Sequence, residues 1–303
     1  MMVWRRAGLI IFSLMFVFLL PACQTLCDQC FATPPSSAQP DLPIVGEDVS
    51  TDALPNPQTT CLQEGGEFQF HEIQTALMTH LLYFRVYLPP CYAENSQTRY
   101  PVLYLLHGQG FNDDQWDRLG ADDALASLLA SGEISPFIIV MPRESNYMND
   151  PLDSKFGPAI AQELIPWIDA HYRTCAERSC RAIGGISRGS AWAMRTGLLY
   201  WQTFGIIGAH SFPPFRGDFN AVPIWLREMG TQNYPQVWID IGTLDPDLDA
   251  ARVFMNRLEE YAVPLEWHVL PGGHTEAYWA GNMQTYLRWY AQAFQQIVSI
   301  STP

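Results

Sequence analysis

Hydrophobic residues in this chain follow two alternating rhythms. The first is a set of short apolar runs: Val102-Leu103-Tyr104-Leu105-Leu106, Ile138-Ile139-Val140, Ala182-Ile183-Gly184, and Val237-Trp238-Ile239-Asp240-Ile241-Gly242. Runs of this length and unbroken apolarity read as strands covered on both faces. Leu265-Glu266-Trp267-His268-Val269-Leu270 alternates instead, as a half-exposed strand does. The second rhythm has helical spacing and predicts helices over 122–130, 158–172, 189–201, 249–261 and 276–297. Strand and helix signals alternate, so the chain predicts an α/β fold: a mostly parallel central sheet with crossover helices on both faces. There is no internal repeat.

The chemistry falls at the junctions between these elements. Gly185-Ile186-Ser187-Arg188-Gly189 stands between a buried strand and a helix. A Gly-x-Ser-x-Gly in that context forms a nucleophile elbow, a sharp turn that lifts the hydroxyl toward a base. Alone the pattern is weak; the strand and helix around it give it weight. An acid and a histidine should follow in that order. Thr243-Leu244-Asp245-Pro246-Asp247 follows one strand and Pro271-Gly272-Gly273-His274 follows another. The expected triad is Ser187 as nucleophile, His274 as general base and Asp245 as its orienting acid. Asp247 and Asp249 share the acid's loop and are alternatives, Asp249 also as a helix cap; Asp240 should lie within its strand. Tyr104-Leu105-Leu106 runs into His107-Gly108-Gln109-Gly110. The amides of Gln109 and Arg188 are the candidate oxyanion-hole donors, and His107 is expected to shape that loop.

With these residues placed, the chain resembles the α/β-hydrolase "putative esterase" family, which includes enterochelin-esterase-like, feruloyl-esterase-like, S-formylglutathione-hydrolase-like and mycolyltransferase-like proteins. The resemblance runs from about Phe68 to the C-terminus. Its carriers are Val86-Tyr87-Leu88-Pro89-Pro90-Cys91, Tyr100 to Gly108, Trp116, Ile134 to Pro142, Glu163 to Asp169, and Pro271 to His274 with Tyr278-Trp279. Cys91 departs from it, standing where a glycine is common, as do Ser190 and Ala191 after Gly189. The resemblance implies an α/β-hydrolase fold and ester hydrolysis through an acyl-enzyme. Acyl transfer to a sugar, or a catalytically dead fold kept for surface binding, are the alternatives. An intact set of Ser187, Asp245 and His274 weighs against the last. Loops 109–116, 143–156, 211–217 and 278–279 should build the pocket, with Trp116, His210 and Trp279 as candidate substrate contacts. Arg143 and Arg216 are read as surface residues. No long insertion suggests a large lid. The expected substrate is a small-molecule or saccharide-linked ester; the triad needs neither metal nor organic cofactor.

Length and composition then set the compartment. At 303 residues with 48% hydrophobic content, the chain can bury one large core. Its net charge is −14, and Lys155 is the only lysine, which excludes nucleic acid as a partner. The N-terminus has a basic start with Arg5 and Arg6, an apolar stretch over 9–20 and then Leu20-Pro21-Ala22-Cys23. It reads as an export signal rather than a spanning helix. The last four residues resemble a bacterial lipobox. That implies a signal peptide over 1–22, lipidation of Cys23 and anchoring at the cell envelope. An ordinary cleaved signal, hence secretion, or an uncleaved anchor are the other readings. Residues 23–60 are rich in Pro, Ser, Thr and Asp and read as a tether, leaving 61–303 as the catalytic domain. Six further cysteines favour export with disulfides. Cys175 with Cys180, across a short polar turn, and Cys61 with Cys91 are the expected pairs. Cys27-x-x-Cys30 has no second metal pair and is discounted as a zinc or redox site.

Overall fold

The structure, a computed structural model, describes residues 61–62 and 65–300, with side chains to 296. The expected signal peptide, Cys23, Cys27, Cys30 and the tether lie outside the described residues. Eight strands form one sheet in the order β1-β2-β4-β3-β5-β6-β7-β8. They are β1 (Glu67–Ile73), β2 (Leu82–Leu88), β3 (Val102–Leu106), β4 (Ile138–Pro142), β5 (Arg181–Ile186), β6 (Ile206–His210), β7 (Gln236–Gly242) and β8 (Leu265–Leu270). β2 runs antiparallel to both its neighbours; from β4 through β3 to β8 all pairings are parallel.

Eight α-helices accompany the sheet among the described residues. They are α1 (Gln115–Arg118), α2 (Ala121–Ala130), α3 (Phe156–Ala159), α4 (Ile165–His171), α5 (Arg188–Leu199), α6 (Asp218–Met229), α7 (Leu248–Glu259) and α8 (Glu276–Ile300). The inner parallel strands β3 to β6 are buried throughout, and β7 but for its first residue, so each feeds two cores; β8, at the edge, is only half-buried, as its alternation suggested. On β3, Val102, Tyr104 and Leu106 face one core with α3 to α7; Leu103 and Leu105 face the other with α1, α2 and α8. The two-sided burial expected from the unbroken apolar runs therefore holds.

Three local features differ from the sequence expectation. The helix expected over 158–172 is interrupted by a π turn, Ile160–Leu164, in which Ile165 N–H reaches back to the Ile160 carbonyl. Pro166 follows immediately; lacking an N–H, it cannot continue an ordinary ladder, and the wider turn absorbs that loss. Helix α6 was not expected. Its buried positions Val222, Leu226 and Met229 have helical spacing, but Pro223 sits among them and masks the pattern. Asp249 lies in the first turn of α7 rather than capping it; Asp247 occupies the cap position.

Glycines explain how α8 lies so close. Gly184 of β5 and Gly208 of β6 are register partners, and a Cβ on either would collide with the Tyr290 ring and hydroxyl. Strand glycines at this pair therefore mark a close approach rather than a weak strand. Cys61–Cys91 and Cys175–Cys180 are disulfide-bonded, their Cα atoms 5.1 and 5.7 Å apart. Cys91 has φ +64°, the left-handed region, which accounts for a position where glycine is common.

Candidate active site

Ser187 is the single residue between the end of β5 and the start of α5. It adopts φ +53° and ψ −128°, a conformation that costs on the order of 1–3 kcal/mol for a residue with a side chain. Three contacts hold it there. Its N–H donates to the His210 carbonyl of β6 at 2.9 Å, and its own carbonyl accepts the Ser190 N–H at 2.8 Å and the Ser190 hydroxyl at 2.6 Å. Gly185 and Gly189 let the chain fold back on itself. A Cβ at Gly185 would enter the Gly189 backbone, and one at Gly189 would enter the carbonyls of Leu106 and His107. Ser190 and Ala191 are buried without conflict, so their departure from the family pattern costs the elbow nothing.

The structure brings Ser187, His274 and Asp245 together from three loops at one sheet edge. His274 Nε2 lies 2.8 Å from Ser187 Oγ, and His274 Nδ1 lies 2.9 Å from Asp245 Oδ2. With Nδ1–H donating to the carboxylate, Nε2 is left to accept the serine hydroxyl. The other Asp245 oxygen accepts the Asp247 N–H at 3.0 Å. Burial pushes the Asp245 carboxyl up, but hydrogen bonds from His274, Asp247 and Ser211 outweigh it and hold it below the usual range. His274 moves the opposite way. The hydrogen bond to Asp245, with the nearby negative charge, raises it above 6.5 despite partial burial. The acid and histidine loops are laced together: Thr243 N–H donates to Leu270 O and Leu244 N–H to Gly272 O, each at 2.8 Å. Gly272, at φ +137°, makes that close approach possible.

His107 shapes the loop after β3, as its position suggested. Its Nε2 accepts the Glu144 N–H at 2.8 Å, which leaves Nδ1–H to donate to the Gly108 carbonyl at 2.8 Å. Burial lowers its pKa below 6.5, in keeping with an uncharged ring. The Gly108 N–H is spent on Gln115 Oε1 at 2.8 Å. This loop lies against the elbow, with the position of a Gly108 Cβ 3.5 Å from Ser187 Cβ. The Arg188 N–H opens α5 and so has no carbonyl partner within its own helix. The Arg188 guanidinium is engaged elsewhere, on both carboxylate oxygens of buried Glu144 at 2.8 Å. Trp192 Nε1–H adds a third bond to Glu144 at 2.9 Å. Sequence reading missed Gln115 and Glu144; nothing local distinguishes a buried, fully bonded Gln or Glu from a surface one.

The three expected substrate contacts need correction. Trp116 is 1% exposed, His210 0% and Trp279 4%, so none offers a surface to a ligand. Trp116 gives its Nε1–H to the Leu106 carbonyl, and His210 is held by Asp240 and Tyr290. Trp279 bonds Ser211 and turns its ring edge-on to His274, at 5.3 Å between centroids, where it braces the base. The same strand ends carry exposed Phe111, Met148, Leu152 and Leu244 on the surrounding loops. A cavity of about 170 Å³ opens beside Glu144, lined in part by His80, Asn146, Asn149, Lys155 and Phe156. Donor atoms of Asp245, Asp247 and His274 lie within 4.8 Å of one another, but Asp245 and His274 are already spent on each other.

An elbow serine with a histidine and an acid, at the carboxyl edge of a sheet in this strand order, defines the α/β-hydrolase class. Solved structures agree on the fold. A ferulic acid esterase superposes with a TM-score of 0.68 at 24% identity, over 76% of this chain and 99% of that one. The S-formylglutathione hydrolase of Staphylococcus aureus gives a TM-score of 0.60 at 18% identity, over 75% and 98%. The chain belongs to the family described as "Putative esterase", whose family profile matches residues 75–290. Among curated relatives, Esterase Rv1288 of Mycobacterium tuberculosis (strain H37Rv) is 30% identical over 259 residues, covering 68% of this chain and 55% of that protein. The endo-1,4-beta-xylanase/feruloyl esterase of Xylanibacter ruminicola is 36% identical over 138 residues, covering 41% of this chain and 18% of that protein. The chain thus spans about half the length, or less, of the curated relatives it matches.

Proposed function

We propose that this chain is an exported serine carboxylic-ester hydrolase that works through an acyl-enzyme. The observation that carries the reading is the continuous hydrogen-bonded line from Ser187 through His274 to Asp245 on a strained elbow. Ser187 Oγ attacks the acyl carbon as its proton passes to His274 Nε2. Negative charge on the acyl oxygen is met by the N–H groups of Gln109 and Arg188, each such donor typically contributing about 3 kcal/mol to the transition state. The tetrahedral intermediate collapses, His274 returns the proton to the departing alcohol, and Ser187 keeps the acyl group. Water then attacks the acyl carbon with His274 again as base, and Ser187 leaves protonated.

The substrate of this chemistry, the acyl donor, is read as a small-molecule or saccharide-linked ester. The relatives named for ferulic acid esters support that class. Two disulfides support export, because such bonds persist in oxidising compartments. Among the described residues no helix is long and apolar enough to cross a membrane. Attachment at the envelope through a lipidated Cys23 is part of the same reading. The test is turnover of 4-nitrophenyl acetate by the wild type beside Ser187→Ala. The variant is expected to lose roughly 10⁴-fold or more in kcat. Equal rates for the two proteins would refute the reading.

A further inference from the structure

The proposed reaction gives no task to Asp240, a buried acidic residue. Asp240 lies in β7, the strand that delivers Asp245, and has no exposed surface. Its carboxylate nevertheless takes four donors. Oδ1 accepts His210 Nδ1–H at 2.5 Å and Trp238 Nε1–H at 2.8 Å; Oδ2 accepts the hydroxyls of Tyr278 at 2.7 Å and Tyr286 at 3.0 Å. His210 Nε2 is thereby left to accept the Tyr290 hydroxyl at 3.0 Å, and the His210 ring stacks on Tyr286. A carboxylate so placed is costly to desolvate, and a well-packed apolar set of the same volume is often at least as stable. Stability alone therefore does not explain it.

Its partners do. His210 ends β6, and its carbonyl is what holds the Ser187 N–H at the elbow. The Asp240 carbonyl accepts the Ser211 N–H at 2.8 Å, and Ser211 in turn supports Asp245 and Trp279. Tyr278 stands in the first turn of α8, directly after the loop that carries His274, and its ring fills the space beside Gly272 in that loop. One carboxylate thus touches the segment that holds the nucleophile, the strand that leads to the acid and the helix that follows the base.

We propose that Asp240 is a positioning residue for the triad: acting through His210 and Tyr278, it fixes the relative placement of Ser187, Asp245 and His274. This rests on the serine-hydrolase reading above. A merely structural carboxylate would change how much enzyme folds; a positioning one changes how fast each folded site turns over. The two separate in burst titration with a 4-nitrophenyl ester, where the burst amplitude counts competent sites and the steady rate divided by that amplitude gives kcat per site.

Tyr278→Phe removes one hydroxyl from Asp240 and is expected to lower kcat per site by about tenfold; Asp240→Asn, which puts an NH2 group in place of one acceptor oxygen and its two hydrogen bonds, by about a hundredfold, the cost of displacing reacting groups by an ångström or less. KM should stay within about twofold in both, since neither residue is exposed to substrate. In an Asp245→Asn background, where His274 has already lost its partner, the further effect of Tyr278→Phe should shrink to less than about twofold, because the two act on the same geometry. If Asp240→Asn fails to fold, Tyr278→Phe decides. An active wild type with kcat per site unchanged in Tyr278→Phe overturns the positioning role alone, whatever happens to the amplitude. A wild type with no turnover dependent on Ser187 overturns this proposal and the hydrolase reading together.

Discussion

Gly189→Ala is the sharpest single perturbation of the elbow. The new methyl group would stand 2.5 Å from the His107 carbonyl oxygen and closer still to that of Leu106. Both are backbone atoms at the end of β3, so neither can swing aside as a side chain would. Reaching an ordinary contact of 3.4 Å from 2.5 Å requires an opening of at least about 0.9 Å between α5 and the loop carrying Gln109, and the nearer Leu106 oxygen demands more. Overpacking of this kind costs roughly 1–3 kcal/mol of stability. The catalytic loss should be larger in proportion. Ser187 and Arg188 move with α5 while Gln109 stays with β3, and a displacement of about 1 Å is worth on the order of 100-fold in rate, or about 2.7 kcal/mol of barrier. The assay is burst kinetics with a 4-nitrophenyl ester, alongside thermal unfolding. Gly281→Ala is the control: it occupies an exposed position of α8 with no neighbouring atom within 4 Å, and should stabilise by about 1 kcal/mol with unchanged activity. A Gly189→Ala enzyme that folds and keeps kcat within threefold of wild type would refute the claim that this close approach sets the geometry of the site.

Four further outcomes are expected. His274 must be uncharged to accept the serine proton, and Asp245 raises its pKa; kcat/KM should therefore rise with pH through a value above 6.5. Asp245→Asn removes both the charge and the correct tautomer, so the acid limb should shift to lower pH while kcat falls roughly 10⁴-fold; a limb that stays in place would argue against the pairing. Gln115→Ala leaves the buried Gly108 N–H unpaired, at a cost of about 1–3 kcal/mol in stability, and should lower kcat about tenfold by loosening the Gln109 loop. Removing Cys61–Cys91, which closes a loop of separation 30, should cost about 3.5 kcal/mol, against about 2 kcal/mol for Cys175–Cys180 at separation 5. Denaturant titration of the two double-serine variants checks that order.

Much of this molecule is legible in its sequence because the parallel sheet writes itself in two-sided apolar runs. The strand ends that carry Ser187 and Asp245 follow directly from those runs, and the one that carries His274 follows from the alternation of β8. Strand β1 was less visible. Glu67 to Ile73 is an edge strand with no buried residue; Phe68 and Phe70 alternate with polar neighbours over too short a stretch to set it apart, and pairing with β2 fixes it. Helix α6 was hidden by Pro223, and the π turn by the helical spacing on either side of it.

The aromatic residues failed for a different reason, which bears on specificity. Trp116, His210 and Trp279 stand at the ends of elements that point toward the site, and position in sequence says no more than that. What decides their role is α8, which crosses the sheet over Gly184 and Gly208 and brings Tyr278, Trp279, Tyr286 and Tyr290 beneath the triad. That packing turns the residues nearest the chemistry into a second core and leaves them no surface to offer. On the proposed hydrolase reading, discrimination among esters is expected from what stays exposed on the loops around the strand ends: Phe111 after β3, Met148 and Leu152 after β4, and Leu244 after β7. None of these side chains supports the triad, so they can vary without disturbing it. Substitutions there should move KM and substrate preference while leaving the acid limb of the pH profile where His274 sets it, whereas substitutions in the second core should move kcat first.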